Sequence, residues 1–555
     1  MNAARGTFPW KGGRRQPIPE AFPVHSVNVP VNDIENIIRD SGDTRLAQLL
    51  ESLLTLRQSP ERPIRYFSDI RAKDIDRLVA DGVVGRADDD APVTASVFLV
   101  AEMAKSRARF ILFPIAHNRA AEAVYVSDMG LVDVKVIASE VHEAEHAFAI
   151  DLTASFYQTL LPHGRRGNFV FAFDGRKYEA LRMPMGATES AEIQQRITTF
   201  VFEPPPHLRD LIKFRVHVDN VLYRGKREHL TEMLCIIRER AARYKVTINE
   251  SLTEDMIGPT AEFLGFIFDH VSKTISLTEK MKKKLTALAH APDPGTRRDV
   301  LYASSLLSYV NRALGLSFGP RFGVLQAARI AAKDFSLGSS LDARTTFPKS
   351  LGTAIRQWAG CLASTPAQTV PRPTTTPTAQ LWVDSSNDGY GAILAVMGVV
   401  HVAAAKRTDS MTISAAETDA VAWALHVFAD VIRGGDIELF TDNIPCLFAI
   451  HRRYSRSRAV HRAVTRVYAA LTDLDVRFTS VNYVRSAKNP ADVPSRITDL
   501  SASGLPPSGR ARLTDTSEAL QSQLLPMVVD VAAHRRAGDV GGVAPVGGAQ
   551  TSAAK

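Results

Sequence analysis

The segment "TPAQTVPRPTTTPTA", residues 365 to 379, sets the first limit on how this chain can fold. Proline fixes its own φ and lacks an N–H, so repeated prolines among threonines sustain neither a helix nor a central strand. The segment reads as a linker. The 555 residues should therefore fold as at least two bodies, one on each side of it. The material for two cores is present. Hydrophobic residues make up 45% and charged residues 23%, the balance of an ordinary globular protein.

Composition excludes some classes. Cys235, Cys361 and Cys446 are far apart and show no CxxC spacing, which argues against a disulfide framework or a cysteine zinc site and for a reducing compartment. The N-terminus lacks the apolar core of a secretory signal. The longest apolar run, "GAILAVMGVVHVAAA" from Gly391, is too short to span a bilayer and is broken by Gly398 and His401. The expectation is a soluble intracellular protein, in cytoplasm or nucleus, with no membrane partner. A formal charge of +8 permits a polyanionic partner.

Residues 1 to about 30 are rich in Pro and Arg and read as loose. Helical periodicity follows in "IENIIRDSGDTRLAQLLESLLTL", and residues 97 to 269 mix alternating strands with helices. Two carboxylates stand at element ends there. "HAFAIDLTASFYQ" alternates, with Phe148 and Ile150 on one side, and ends its arm in Asp151. "KFRVHVDNVLYRG" reads as a hairpin folded at Asp219 and Asn220. Each has an ordinary explanation, since Asp caps helices and Asp–Asn forms turns. Their order is more specific. Between them lies "YEALRMPMGATESAEIQQ", a turn opening a helix, and before both lies "ASVFLVAEMAKSRARFILFPIAHN", two strands around a basic turn.

This layout resembles the fingers and palm of reverse transcriptases over roughly residues 65 to 290. Asp151 resembles the family's first catalytic aspartate, "HVDN" its Y-x-D-D box, "MPMG" its L-P-Q-G segment and "AEFLGFIFD" its primer-contacting hairpin. The resemblance implies that Asp151 and Asp219, with Asn220 beside them, hold two Mg²⁺ ions (or Mn²⁺) roughly 3.5–4 Å apart, which stabilise both the attacking and the leaving oxygen. It implies that Phe156 excludes a ribose 2′ hydroxyl, and that Met185 and Gly186 floor the incoming nucleotide. Lys105, Arg107 and Arg109 would face its triphosphate. For Phe156 a core role, and for the three cations a solvated turn, stay open on the residues alone.

Beyond the linker, "LWVDSSNDGYGAIL" ends a strand in Asp384. The helix "AAETDAVAWALHVFADVI" puts Glu417 four residues before Val421, on its apolar face. A carboxylate there is unfavourable unless a cation or hydrogen bonds compensate. "IELFTDN" supplies Asp442 and "NYVRSAKNPADVPSR" supplies Asp492 at a helix start. Asp, Glu, Asp, Asp in this order resembles the ribonuclease H pattern over residues 380 to 498. The resemblance implies two more Mg²⁺ ions and cleavage of the RNA in an RNA–DNA hybrid. The arginine run "HRRYSRSRAVHRAVTRV" reads as a solvated helix face or, beside such a site, as phosphate contacts.

The expected fold is an α+β multidomain chain, a right-hand polymerase followed by an α/β ribonuclease H-like domain with a mixed sheet. The expected boundaries are an N-terminal extension (1–64), fingers and palm (65–280), a helical thumb or connection (281–364), the linker (365–379), the nuclease domain (380–498) and a disordered tail (499–555). "KMKKKL", Arg297 and Arg298 would grip the hybrid from the thumb. The chain looks like the reverse transcriptase–ribonuclease H protein of a retrotransposon, most like the DIRS/VIPER group, because neither a protease triplet nor an integrase-like acidic domain is found in it. Its expected partners are an RNA template, a DNA primer, the RNA–DNA hybrid and deoxynucleoside triphosphates. Asn220, where the family has a second Asp, keeps two alternatives open: a polymerase-impaired remnant that retains the nuclease, or a remnant that only binds nucleic acid.

Overall fold

The computed structural model describes residues 18–26, 29–55, 70–102, 105–122, 125–316, 318, 321–337, 340–370, 377–407, 410–497 and 499–537. Contacts divide the chain into two units, residues 1–316 with 327–372 and residues 317–326 with 373–555. Together they form an α+β multidomain protein whose second unit carries a mixed sheet.

At the heart of the first unit is a three-stranded antiparallel sheet in the order His146–Asp151, Asn220–Gly225, Lys213–His217. Apolar residues on both faces of its central strand explain why it is covered on both sides. Val221, Leu222 and Tyr223 are all buried, and Tyr223 stacks on Phe148 with ring centroids 4.8 Å apart. The Tyr223 hydroxyl donates to the carbonyl of Phe202 at 2.8 Å, which ties the sheet to the helix Ser190–Phe202. A second hairpin, Ser96–Glu102 with Arg107–Phe113, buries Val97, Leu99, Ala108, Phe110 and Leu112 at alternating positions. A third, Thr260–Phe263 with Phe266–Asp269, turns through Leu264 and Gly265, both at positive φ as a two-residue hairpin turn needs. Helices Glu279–Ala289, Arg297–Ala313 and Lys349–Ala363 follow, and buried Trp358 donates to Asn311 Oδ1 at 3.1 Å among them.

In the second unit, Arg477–Tyr483, Asp436–Thr441 and Ala379–Ser385 run parallel. Gly389–Val396, Val399–Lys406 and Arg510–Arg512 continue the sheet antiparallel. Helix Ile413–Val427 packs Val421, Ala424 and Leu425 into a core with Leu381, Val383 and Leu439.

Four expectations change. Residues 1–17 lie outside the described residues, but Val24–His25 pairs in parallel with Ala108 and Arg109. Helices Ile34–Ser41 and Thr44–Leu54, capped by Asp33 and Asp43, bury Ile37, Leu46, Leu49 and Leu53, so this extension is part of the first unit's core. Within the presumed linker, Gln368–Thr369 pairs with Thr274 and Ile275, and Ala379 already opens a strand; residues 371–376 lie outside the described residues. Of the tail expected to be disordered, residues 499–537 are ordered and residues 538–555 lie outside the described residues. Arg510–Arg512 extends the sheet, Arg510 pairs with Asp430, and Leu513, Leu520 and Leu524 are buried with Trp382. Its apolar residues are few but land on one face, which composition alone conceals. Finally, Arg297 and Arg298 are held by Asp334 at 3.1 Å and Asp342 at 2.5 Å, so neither is a free phosphate contact.

Candidate active sites

The first site forms where neighbouring strands end. Asp151 closes its strand directly opposite Asn220, and the amide of Leu152 donates to the carbonyl of Asp219 at 3.0 Å. The hairpin turns one residue earlier than the sequence suggests. Val218 and Asp219 form the tip, and Asn220 opens the return strand opposite His217. Val218 has φ +60°, a costly conformation for a β-branched residue, and its N–H is held by Gln195 Oε1 at 2.6 Å. This strained tip carries the carboxylate. The Asn220 amide donates to Asp219 Oδ1 at 2.9 Å.

Burial, then the charges of Asp219 and Glu250, push the Asp151 carboxyl up to about 6. Asp219 is also raised, chiefly by burial, against the pull of its own backbone amide, Asn220 and Arg109. Asn249 Nδ2 donates to Asp151 Oδ2 at 3.0 Å, and the Asp151 amide donates to Glu250 Oε2 at 2.9 Å. Among the described residues none of the three carboxylates forms an ion pair, which fits a cation-binding role.

Lys105 is exposed on the turn of the basic hairpin, where its charge reaches Asp151. Arg107 and Arg109 both pair with Glu102 at 2.5 Å, and Arg107 also meets His25 Nδ1 at 2.9 Å. An incoming anion would have to compete with Glu102 for them. Phe156 sits half-buried on the 3₁₀ turn Ser155–Gln158, packed on the main core as Met185 is. Gly186 has no room for a side chain, since a Cβ would lie 2.1 Å from the carbonyl oxygen of Leu112. Asn118 fixes that turn, donating to the Gly186 carbonyl at 2.8 Å and accepting from the Thr188 amide at 3.0 Å.

In the second site Asp384, Glu417 and Asp442 each direct a carboxylate oxygen into a group whose members lie within 4.8 Å of one another. Asp384 and Glu417 are 4% and 5% exposed. Burial first, then Asp384 and Asp442, push Glu417 up to about 9; burial first raises Asp384 to about 6. Glu417 Oε2 is buried without a hydrogen-bond partner. Three clustered carboxylates, one with an oxygen that has no partner, form a donor set of the kind that holds a divalent cation.

Asp492 remains outside that trio. It pairs with Arg496 at 2.6 Å, and its charge is felt at Asp384. Its short helix lies against the sheet because Gly389 and Gly391 leave space. A Cβ on Gly391 would meet the Ala491 oxygen and the Ser495 nitrogen at 2.3 Å each. In the arginine run, Arg466 is held by Asp419 at 2.5 Å and Arg453 lies over Tyr468, while Arg456, Arg458 and Arg462 are exposed.

Sequence reasoning missed several partners. Ser486 Oγ donates to Asp442 Oδ2 at 2.5 Å, and Asn249 and Glu250 reach Asp151 from about a hundred residues away. Glu102 had a readable signal, because it faces Arg107 across the hairpin.

No family model matches this chain. It is similar to the retrovirus-related Pol polyproteins of two Drosophila melanogaster transposons: gypsy, 24% identical over 348 residues, and opus, 22% identical over 392 residues. These matches take in 59% and 69% of this chain but only 31% and 38% of the polyproteins, so the chain spans about a third of their length. Among solved structures it is similar to a foamy viral protease-reverse transcriptase with double-stranded DNA. That match has TM-score 0.44 and 15% identity, covering 83% of this chain and 84% of the other. The same kind of protein with an RNA/DNA hybrid gives TM-score 0.43 and 14% identity, covering 86% and 66%.

Proposed function

We propose that this chain is an RNA-directed DNA polymerase with an attached ribonuclease H, encoded by a retrotransposon. The observation that carries the reading is the pair of separate carboxylate centres. One stands on a hairpin tip opposite a strand-end aspartate, and the other lies against a mixed sheet. The similarity to transposon Pol polyproteins supports it. The substrates would be deoxynucleoside triphosphates, an RNA template with a DNA primer, and the resulting hybrid.

Magnesium, when bound, supplies stabilisation of the oxygens that carry charge during phosphoryl transfer. The protein's part is placement. Asn249 fixes one oxygen of Asp151, the strained turn presents Asp219, and Gly186 lets a nucleotide floor approach the basic hairpin. In the nuclease unit Ser486 orients Asp442, and Gly391 admits the helix bearing Asp492. Phe156 is the proposed sugar discriminator.

The finer placement in the DIRS/VIPER group rests on the pairing of the two domains, whereas the matched transposons are gypsy and opus. We place the protein inside the cell on its three free cysteines. Among the described residues no helix is long and apolar enough to cross a membrane.

The test is primer extension on an RNA template together with cleavage of a labelled hybrid. Asp151→Asn should abolish synthesis and spare cleavage, and Asp384→Asn should do the reverse. A wild-type chain that cleaves but does not extend would instead be the polymerase-impaired remnant. Indifference to both substitutions would leave only nucleic-acid binding.

A further inference from the structure

Position 220 offers the polymerase centre an amide where a carboxylate would add a charge, and that amide is already committed to Asp219 Oδ1. A second carboxylate nevertheless reaches Asp151. Glu250 lies on the loop between the helix Arg227–Arg243 and the strand Thr260–Phe263. Its Oε2 accepts the Asp151 backbone N–H at 2.9 Å, and its neighbour Asn249 grips the Asp151 side chain from the same loop. The loop is itself anchored, since Thr153 donates to Asn249 Oδ1 at 2.8 Å and the Asn249 amide donates to the Asp151 carbonyl at 2.9 Å. Glu250 Oε1 accepts no hydrogen bond among the described residues, and no described Lys or Arg pairs with Glu250. A negative charge therefore stands beside Asp151, at a place where the charge of Lys105 on the basic hairpin is also felt.

We propose that Glu250 supplies to the polymerase centre the negative charge that Asn220 withholds. It is a positioning residue. Among the described residues the group of three or more side chains within one ligating span is the nuclease trio, so Glu250 does not stand as a third ligand with Asp151 and Asp219 but acts beside the cation, through the field at Asp151 and through the loop that orients Asp151. The inference rests on the polymerase reading. It also gives that reading a reason to survive the loss of the second aspartate, because one charge has been exchanged for another from a different element.

The test uses the full chain with Asp384→Asn added, which silences the nuclease centre, and reads Mn²⁺ binding by electron paramagnetic resonance alongside the Mg²⁺ dependence of primer extension. Glu250→Gln keeps an oxygen for the Asp151 N–H, so a purely structural cap would survive it. The expected result is Mn²⁺ binding weakened about tenfold and a matching rise in the Mg²⁺ needed for half-maximal extension. Adding Asn220→Asp to Glu250→Gln should restore both, and Asn220→Asp alone should tighten Mn²⁺ binding, a gain that no misfolded variant can show. Unchanged Mn²⁺ binding in Glu250→Gln, or failure of Asn220→Asp to restore it, overturns the exchange of charge. If Asp151→Asn itself leaves extension intact, the polymerase reading fails instead, a separate and recognisable outcome.

Discussion

Replacing Glu417 by Gln should stabilise the metal-free protein, although the same change should destroy the nuclease. Glu417 is 5% exposed, packed against Asp384 and Asp442, and its carboxyl is pushed up to about 9 from an ordinary value of 4.5. Between those values the folded chain holds a proton that the unfolded chain has released. Stability therefore falls as pH rises through this window, and the stabilising contribution of the neutral group is complete only below about 4.5. At pH 7 the uptake of that proton costs about 3 kcal/mol, against less than about 1 kcal/mol at pH 5. Gln takes the same space without needing a proton. Urea unfolding of the full chain in EDTA, followed by tryptophan fluorescence, to which Trp382 and Trp423 of this unit contribute, should show the variant gaining little at pH 5 and about 3 kcal/mol at pH 7. Adding Mg²⁺ should reverse the order, because the wild type binds it in the folded state and the variant binds it poorly. A variant no more stable than the wild type at pH 7, with the same pH slope, would refute the claim that Glu417 is buried among like charges.

Three further outcomes concern single positions, two of them glycines in close contacts. Gly391→Ala should lift the helix bearing Asp492 off the sheet, costing about 1–3 kcal/mol and most of the hybrid cleavage while primer extension continues, which melting and the paired assays would read. Gly186→Ala should push on the Leu112 carbonyl and raise the KM for deoxynucleotides in steady-state extension without touching hybrid cleavage. Phe156→Val should admit ribonucleotides, seen as a fall of tenfold or more, on the order of 1.4 kcal/mol, in deoxy-over-ribo discrimination by kcat/KM.

What could be read from the sequence was what local patterning encodes. Asp151, Asp384 and Glu417 stand where an alternating or helical apolar pattern meets a carboxylate, and the fold keeps each on the predicted element. The hairpin turn slipped by one residue because Asp–Asn is the better turn pair by propensity. The structure instead puts Val218 in the left-handed region and holds its N–H with Gln195, a tertiary contact that no local rule contains. Glu250 and Ser486 were invisible for the same reason, their partners lying 99 and 44 residues away. The C-terminal strand and helix were misread because Leu513, Leu520 and Leu524 are sparse along the chain and become a face only when folded onto Trp382.

Two distinct sets of carboxylates should each gather divalent cations. Anomalous diffraction from crystals of the full chain grown with Mn²⁺ tests it most directly. Manganese peaks are expected in both places, one among Asp384, Glu417 and Asp442 and another between Asp151 and Asp219. Well-ordered density for these side chains with no peak at either set would contradict it.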